Sequence, residues 1–319
     1  MRALALIFVL LLATPLEVAA QALPSGSLAG AQLAGMDLKG ANLAGRDLTG
    51  ANLTGADLTG ADLSGADLRE AYLRETKLVG ANLKGANLGA ADLTRGDLSG
   101  ADLSGANLSR AVLDTARLAK ANFSKAFMAG ARLVKVLGPD TNFRGAVLSA
   151  ANLRQAVLTG ADFTGADMGG RYLGHPGPGG AIVKGADLSR ARLDGVNLRN
   201  ADLREVVLEG ASLTKAQLGH ANMTWCRAAG ADFTKAAMGY VRGYTCDFQK
   251  ASFLDADLSL AQFTGADLRW ADLRKANLEA ADFNQTKLDG AMAAGSEIER
   301  LQVNAATGVP KELKAGGQP

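Results

Sequence analysis

Residues 51–68 read ANLTGADLTGADLSGADL, four copies of a five-residue unit A-(D/N)-L-x-G, the last cut off after its Leu. Outward from this stretch the Leu recurs without a slip. From Leu28 to Leu288 every residue number ending in 3 or 8 is a core position, 53 in all, and Leu, Phe, Met or Val fills 49 of them. The four exceptions are Gly138, Pro178, Ala228 and Gly243. Two residues ahead of each core position runs a second series, Gly26 to Thr286, in which Ala fills 38 of 53 places.

A period of five is neither helical nor strand-like. In an α-helix each step of five turns the apolar position by about 140°, which scatters the Leu residues over every face. In a strand an odd period places successive Leu residues on opposite faces. One apolar residue in five fits a chain that turns a corner in every unit and keeps its Leu inward. Gly at the fifth place opens turn conformations closed to other residues, Ala suits a crowded corner, and Asp, Asn, Thr and Ser suit turns and solvent. Phe123, Phe143, Phe163, Phe263 and Phe283 lie multiples of twenty apart, as do Phe233 and Phe253. Four units per coil would stack each set in a column, and a ten-residue coil fits the same spacing.

Tandem A(D/N)LxG units resemble those of the pentapeptide repeat family, over about residues 26–290. The resemblance implies an all-β solenoid, a right-handed quadrilateral β-helix of about 13 coils with Leu, Phe and Ala facing inward. It implies no single activity, since members of the family do unrelated things.

Residues 1–20 are a different text. Arg2 is followed by the uncharged apolar run 3–16, then by Val18-Ala19-Ala20 ahead of Gln21. This is the pattern of a secretory signal peptide, too short to span a membrane. The expected organisation is therefore 1–20 signal peptide, 21–290 β-helix and 291–319 C-terminal cap and tail, in an exported protein, periplasmic or secreted. In the last segment Ser296-Glu297-Ile298-Glu299 matches a capping box, and Pro310 precedes a second short helical stretch, Lys311–Lys314. TGVPKEL resembles the closing segment of many proteins of the family. A short helical cap over 296–314 is expected.

Two breaks interrupt the repeat. Val136-Leu137-Gly138-Pro139-Asp140 predicts a bulged corner. Residues 169–180, GGRYLGHPGPGG, predict a protruding loop that carries His175. Arg46 stands where an inward Ala belongs, near the first coils. Around the second break the outward place ahead of the core turns apolar, at Val112, Phe127, Leu137, Val147, Val157, Tyr172 and Ile182. With a coil of twenty, Phe127 and Val147 stack on one side and Leu137 and Val157 on the opposite side.

Function must come from side chains that the core does not require. His220, Tyr240 and Leu260 occupy the Gly place twenty residues apart, so they form one corner column. Trp225 and Trp270 hold the same place on neighbouring corners, and Tyr244 follows Tyr240 closely. Aromatic residues with a polar tip suit interfaces and sugar-stacking surfaces, which makes these six the candidate binding residues. Cys226 and Cys246, the only cysteines, both replace the inward Ala one coil apart. Their stacking leaves two states open, a disulfide or two reduced core thiols.

Catalysis is not expected. Only two His occur, and no nucleophile elbow, phosphate loop, metal spacing or cofactor motif appears. The formal net charge is +2 with both signs interspersed, so there is no basic stripe for nucleic acid. Some members of the family mimic DNA and bind DNA gyrase. That alternative requires an acidic, cytoplasmic rod. The residues favour an exported, non-catalytic scaffold whose partner is an envelope protein, a glycan or a second copy, with no membrane span after signal cleavage.

Overall fold

The computed structural model describes residue 23, residues 26–170 and residues 180–314. The unit 56–60, Ala56-Asp57-Leu58-Thr59-Gly60, shows why the sequence folds as it does. Each of its five backbone N–H groups has a partner. Asp57 N–H donates to Met36 O one coil earlier, at 2.9 Å, and Leu58 N–H to Lys77 O one coil later, at 2.7 Å. Gly60 N–H donates to Val79 O at 2.9 Å, and Ala56 N–H closes the preceding turn on Leu53 O at 2.9 Å. The fifth, Thr59 N–H, has no backbone partner and donates instead to Asp57 Oδ1, at 3.1 Å. An orphaned backbone donor is costly, so the Asp or Asn of the motif is a hydrogen-bonding requirement as well as a solvent-facing residue. Gly60, at φ +67°, supplies the left-handed residue of the turn.

Parallel bridges join outward residues twenty apart, from Gln32↔Asn52 to Lys287↔Thr307. Four units therefore make one coil, and the molecule is a right-handed quadrilateral β-helix. Its faces are numbered here by their first outward residues: face 1 from Gln32, face 2 from Asp37, face 3 from Asn42 and face 4 from Asp47. Face 1 carries 14 rungs, ending at Gln302, a rod of about 62 Å at the strand spacing. Core and Ala positions are buried almost throughout. Where a hydroxyl replaces the Ala methyl it finds a carbonyl: Thr76 donates to Leu53 O at 2.8 Å, and Thr141 to Leu118 O at 2.8 Å.

Across the second break the bridges span thirty residues: Asn152↔Ile182, Val157↔Asp187, Asp162↔Arg192 and Asp167↔Asn197. Ten residues are thus additional to the coil, and Ala181 N–H closes the turn on Met168 O at 2.8 Å. The expected loop at 169–180, with Tyr172 and His175, lies mostly outside the described residues, as do the signal segment 1–20 and the tail from 315. The insert corrects the aromatic columns. Phe123, Phe143 and Phe163 stack at 5.2 and 4.7 Å on face 3. Because ten residues are half a coil, that column continues to Phe233 and Phe253, while Phe263 and Phe283 lie on face 1.

Three other expectations are corrected. Residues 136–140 form no bulge. Leu137 bridges both neighbours, and Lys120 N–H reaches Pro139 O at 3.0 Å as in any unit. Pro is tolerated because its place on the turn donates to no other coil, and Thr141 and Leu158 close in on the room that Gly138 leaves. Residues 296–303 are not helical either. Glu297 bridges Asn277, and Ser296 Oγ donates to Leu273 O at 2.8 Å. Ala293, Ile298 and Val303 keep the five-residue spacing, so the boundary at 290 falls short and the coils run on to Thr307. Helix α1, Lys311–Lys314, alone closes that end, with Leu313 buried. At the other end Arg46 Nη2 donates to Gly26 O at 2.6 Å.

Of the other exceptions in the core, Gly243 is explained by a neighbour. Gly243 leaves room that the ring of Phe263, one coil on, occupies; a Cβ on Gly243 would collide with it. Phe248, Phe253 and Phe263 pack edge-on or tilted around this place, at centroid distances of 5.2 to 6.2 Å.

Candidate functional site

Corner residues have φ near +60° whether or not they are Gly. For a residue with a Cβ this costs about 1 kcal/mol. A large side chain there leans along the rod towards the next coil. Arg110 Cγ, Gln155 Cγ and Thr245 Cγ2 come within 3.4–3.8 Å of where a Cβ would stand on Gly130, Gly185 and Gly265. At these three places a bulky corner is followed one coil later by Gly, which leaves room for it.

On the corner between faces 4 and 1, Asn200, His220, Tyr240 and Leu260 follow one another coil by coil. The His220 and Tyr240 rings are stacked at 4.7 Å and 14°. Gly219, Gly239 and Ser259 precede them in each turn, so nothing larger crowds the stack from that side. Tyr240 is 51% and Leu260 41% exposed. Directly below, Asn200 Nδ2 donates to Gly170 O at 3.1 Å, at the root of the insert.

On the corner between faces 1 and 2 stands Trp225, the most exposed large apolar side chain described, at 61%. Tyr244 lies on the same corner, half-buried, its hydroxyl donating to Gln262 Oε1. Between the two corners face 1 presents Asn222, Arg242 and Gln262. Five of the six candidates thus border one face. Trp270 does not join them: it is on the corner between faces 2 and 3, packed over Gly290 with the Arg269 guanidinium 5.6 Å above its ring. The mid-rod apolar residues divide too. Phe127 and Val147 are on face 4, Leu137 and Val157 on face 2, and Ile182 on face 1, so they form no single patch.

A groove that the sequence reading missed lies under Trp225, lined by Arg154, Gln155, Lys184, Gly185, Glu205, Val207 and Arg227. Gln155 and Gly185 share a corner only because of the ten inserted residues; counting in twenties separates them. Cys226 and Cys246 lie just inside this corner, stacked and joined as a disulfide with Cα atoms 4.7 Å apart.

Outward carboxylates pair with an Arg two residues on. Arg204 grips Asp202 through Nε and Nη2, at 2.7 and 2.6 Å, and Arg274 grips Asp272 at 2.8 and 2.7 Å. These hydrogen bonds hold both carboxyls below their usual range, against some burial that opposes the shift. Among the described residues no cluster of three or more His, Cys, Asp or Glu could hold a metal ion, and no helix is long and apolar enough to cross a membrane.

No curated protein matches the sequence. Among solved structures the chain is similar to HetL, a pentapeptide repeat protein involved in heterocyst differentiation regulation from the cyanobacterium Nostoc sp. Strain PCC 7120. They share 28% identity over 72% of this chain and 89% of that one, with a TM-score of 0.31. A pentapeptide repeat protein of the Arabidopsis thaliana thylakoid lumen is 28% identical over 44% of this chain and 66% of its own, with a TM-score of 0.18. Full-length QnrB1, a plasmid-mediated fluoroquinolone resistance protein, is 16% identical over 76% and 93%, with a TM-score of 0.21. The family model for pentapeptide repeats matches in overlapping segments over 27–133, 140–170, 179–239 and 245–299, well over half of the chain. The chain belongs to the pentapeptide repeat family.

Proposed function

We propose that this protein is an exported, non-catalytic scaffold that holds a protein or glycan partner on the corners of its upper half, residues 180–307. One observation carries the reading. The His220–Tyr240 stack, Leu260, Trp225 and Trp270 are large side chains at backbone places that favour Gly, and they face solvent. Neither the core nor the coil-to-coil ladder needs them. Aromatic groups of this kind give large contact area at low entropic cost. A rigid rod presents them in fixed register, and its own backbone hydrogen bonds are already satisfied.

The export half rests on Arg2, the run 3–16 and Val18-Ala19-Ala20. Mass measurement of the protein from its native compartment tests it: a mature N-terminus near Gln21 is expected, and an intact Met1 in the cytoplasm refutes it. The binding half is tested by the combined change Tyr240→Ser, Trp225→Ser and Trp270→Ser. The folded variant should lose its association in that compartment. An unchanged association contradicts the reading.

A further inference from the structure

We propose that the groove beneath Trp225 binds an acidic polysaccharide, a linear chain carrying uronate carboxylates. The proposal rests on the scaffold reading and gives one of its corners a ligand class. Gly185 provides the floor, a low place between Gln155 and Glu205 over which Gln155 Cγ leans, 3.7 Å from where a Cβ would stand. The exposed indole of Trp225 stands at one end. Of the four ionisable side chains around the groove, Arg154, Lys184 and Arg227 are basic and only Glu205 is acidic. Glu205 engages Lys184 at 3.0 Å. Arg227 reaches Glu209 only at 3.6 Å, with both side chains more than half exposed, an ion pair that solvent makes weak. Arg154 has no ion pair among the described residues. Three cations and one anion therefore border the groove, and two of the cations, Arg154 and Arg227, are left without a strong ion pair among the described residues.

Each feature selects the ligand further. Guanidinium groups bind carboxylates through paired N–H donors. A flat, exposed indole suits the apolar C–H face of a pyranose ring. Gln155 and the carboxylate of Glu205 can take up sugar hydroxyls. The same carboxylate repels a polyphosphate or a DNA backbone, which bring no internal hydroxyl donors to it. The groove follows the rod axis over the coils of Gln155, Gly185, Glu205 and Trp225, three steps or about 14 Å at the strand spacing. A short run of linked sugar rings fits such a track.

Calorimetric titration of the full chain with a hexa-uronate at low salt tests this, beside a neutral glucose hexasaccharide, a short polyphosphate and oligothymidylate. Binding of the hexa-uronate is expected, weakening as salt rises. It should fall at least tenfold for Trp225→Ala and for Arg154→Ala, and survive in Trp225→Phe. The neutral hexasaccharide should bind at least tenfold more weakly. No heat from the hexa-uronate at millimolar concentration, or unchanged affinity in folded Trp225→Ala, overturns the proposal. So does equal or tighter binding of polyphosphate or oligothymidylate. Should Trp225→Ala fail to fold, Arg154→Ala, on an exposed turn, decides alone. Absence of uronate binding leaves the scaffold reading to crosslinking at position 240, which does not involve Trp225, so the two failures are distinguishable.

Discussion

Residues 26–170 and residues 180–307 share one backbone and differ in what hangs on it. Both halves show the same bridges, the same turn bond and the same coil-to-coil distances. The lower half, residues 26–170, has a mostly Leu core with one Phe column, Phe123, Phe143 and Phe163, and mostly Gly or charged corners. The upper half has Phe233, Phe248, Phe253, Phe263 and Phe283 in its core, the one disulfide, and aromatic rings on three of its corners. The five-residue frame secures the fold by itself. Departures from it are therefore where something other than folding is being served, or where two departures compensate each other as Gly243 and Phe263 do.

The largest test of that contrast is in the core. Phe263→Ala should cost about 3–5 kcal/mol in denaturant unfolding, since it empties both its own place and that of Gly243. Restoring the motif by Gly243→Leu should itself destabilise, by about 1–3 kcal/mol, because the ring of Phe263 is in the way. In the Phe263→Ala background the same Gly243→Leu change should recover stability. A consensus-like core position in the lower half, such as Leu103, should show only the first kind of loss. Next is the staple. Replacing Cys226 and Cys246 together by Ala should cost about 2–4 kcal/mol without reductant, and much less with it. Acid comes third. The pKa values of Asp202 and Asp272 are lower in the folded chain than in the unfolded one, so their contribution is complete above the ordinary carboxyl range. It is lost as pH falls through the folded values. Stability should be flat from neutral pH to about 5 and decline below about 4, less steeply when Arg204 and Arg274 are changed to Ala. Asp57→Ala strands the amide of Thr59 and should cost about 1 kcal/mol, with Asp57→Asn nearly neutral. Smallest are the corners. Thr245→Gly should gain up to about 1 kcal/mol by relieving a left-handed β-branched residue, and Tyr240→Ser should stay within about 0.5 kcal/mol of the parent.

Most of the fold was legible because one residue in five, at a fixed spacing, admits few alternatives. The inward Ala follows from it; the coil of four units, and with it the stacking of Cys226 on Cys246, came from the family resemblance, since the spacing alone also allowed ten residues per coil. The end of the solenoid was misread because Ser296 and Glu299 imitate a helix start, while Ile298 and Val303 already held the frame. The phase of everything after the insert was misread for an arithmetic reason: ten residues preserve the period of five but move each later residue half a coil. This placed Phe263 on the wrong face and hid the meeting of Gln155, Gly185 and Trp225. Corner columns within one half, such as His220, Tyr240 and Leu260, needed no such correction. The role of Asp and Asn as acceptors for an amide two residues on is local. It became visible only once the other four donors of the unit were accounted for.

The claim that the upper corners are the working surface is tested most directly by two photo-crosslinking residues on one corner, at positions 240 and 90, in the protein expressed in its own host. The two places have the same backbone conformation, φ +60° and +57°. A discrete adduct from position 240 and none from position 90 is the predicted result; its mass identifies either a heterologous partner or a second copy. No adduct from position 240, or the same adducts from both positions, would contradict the account.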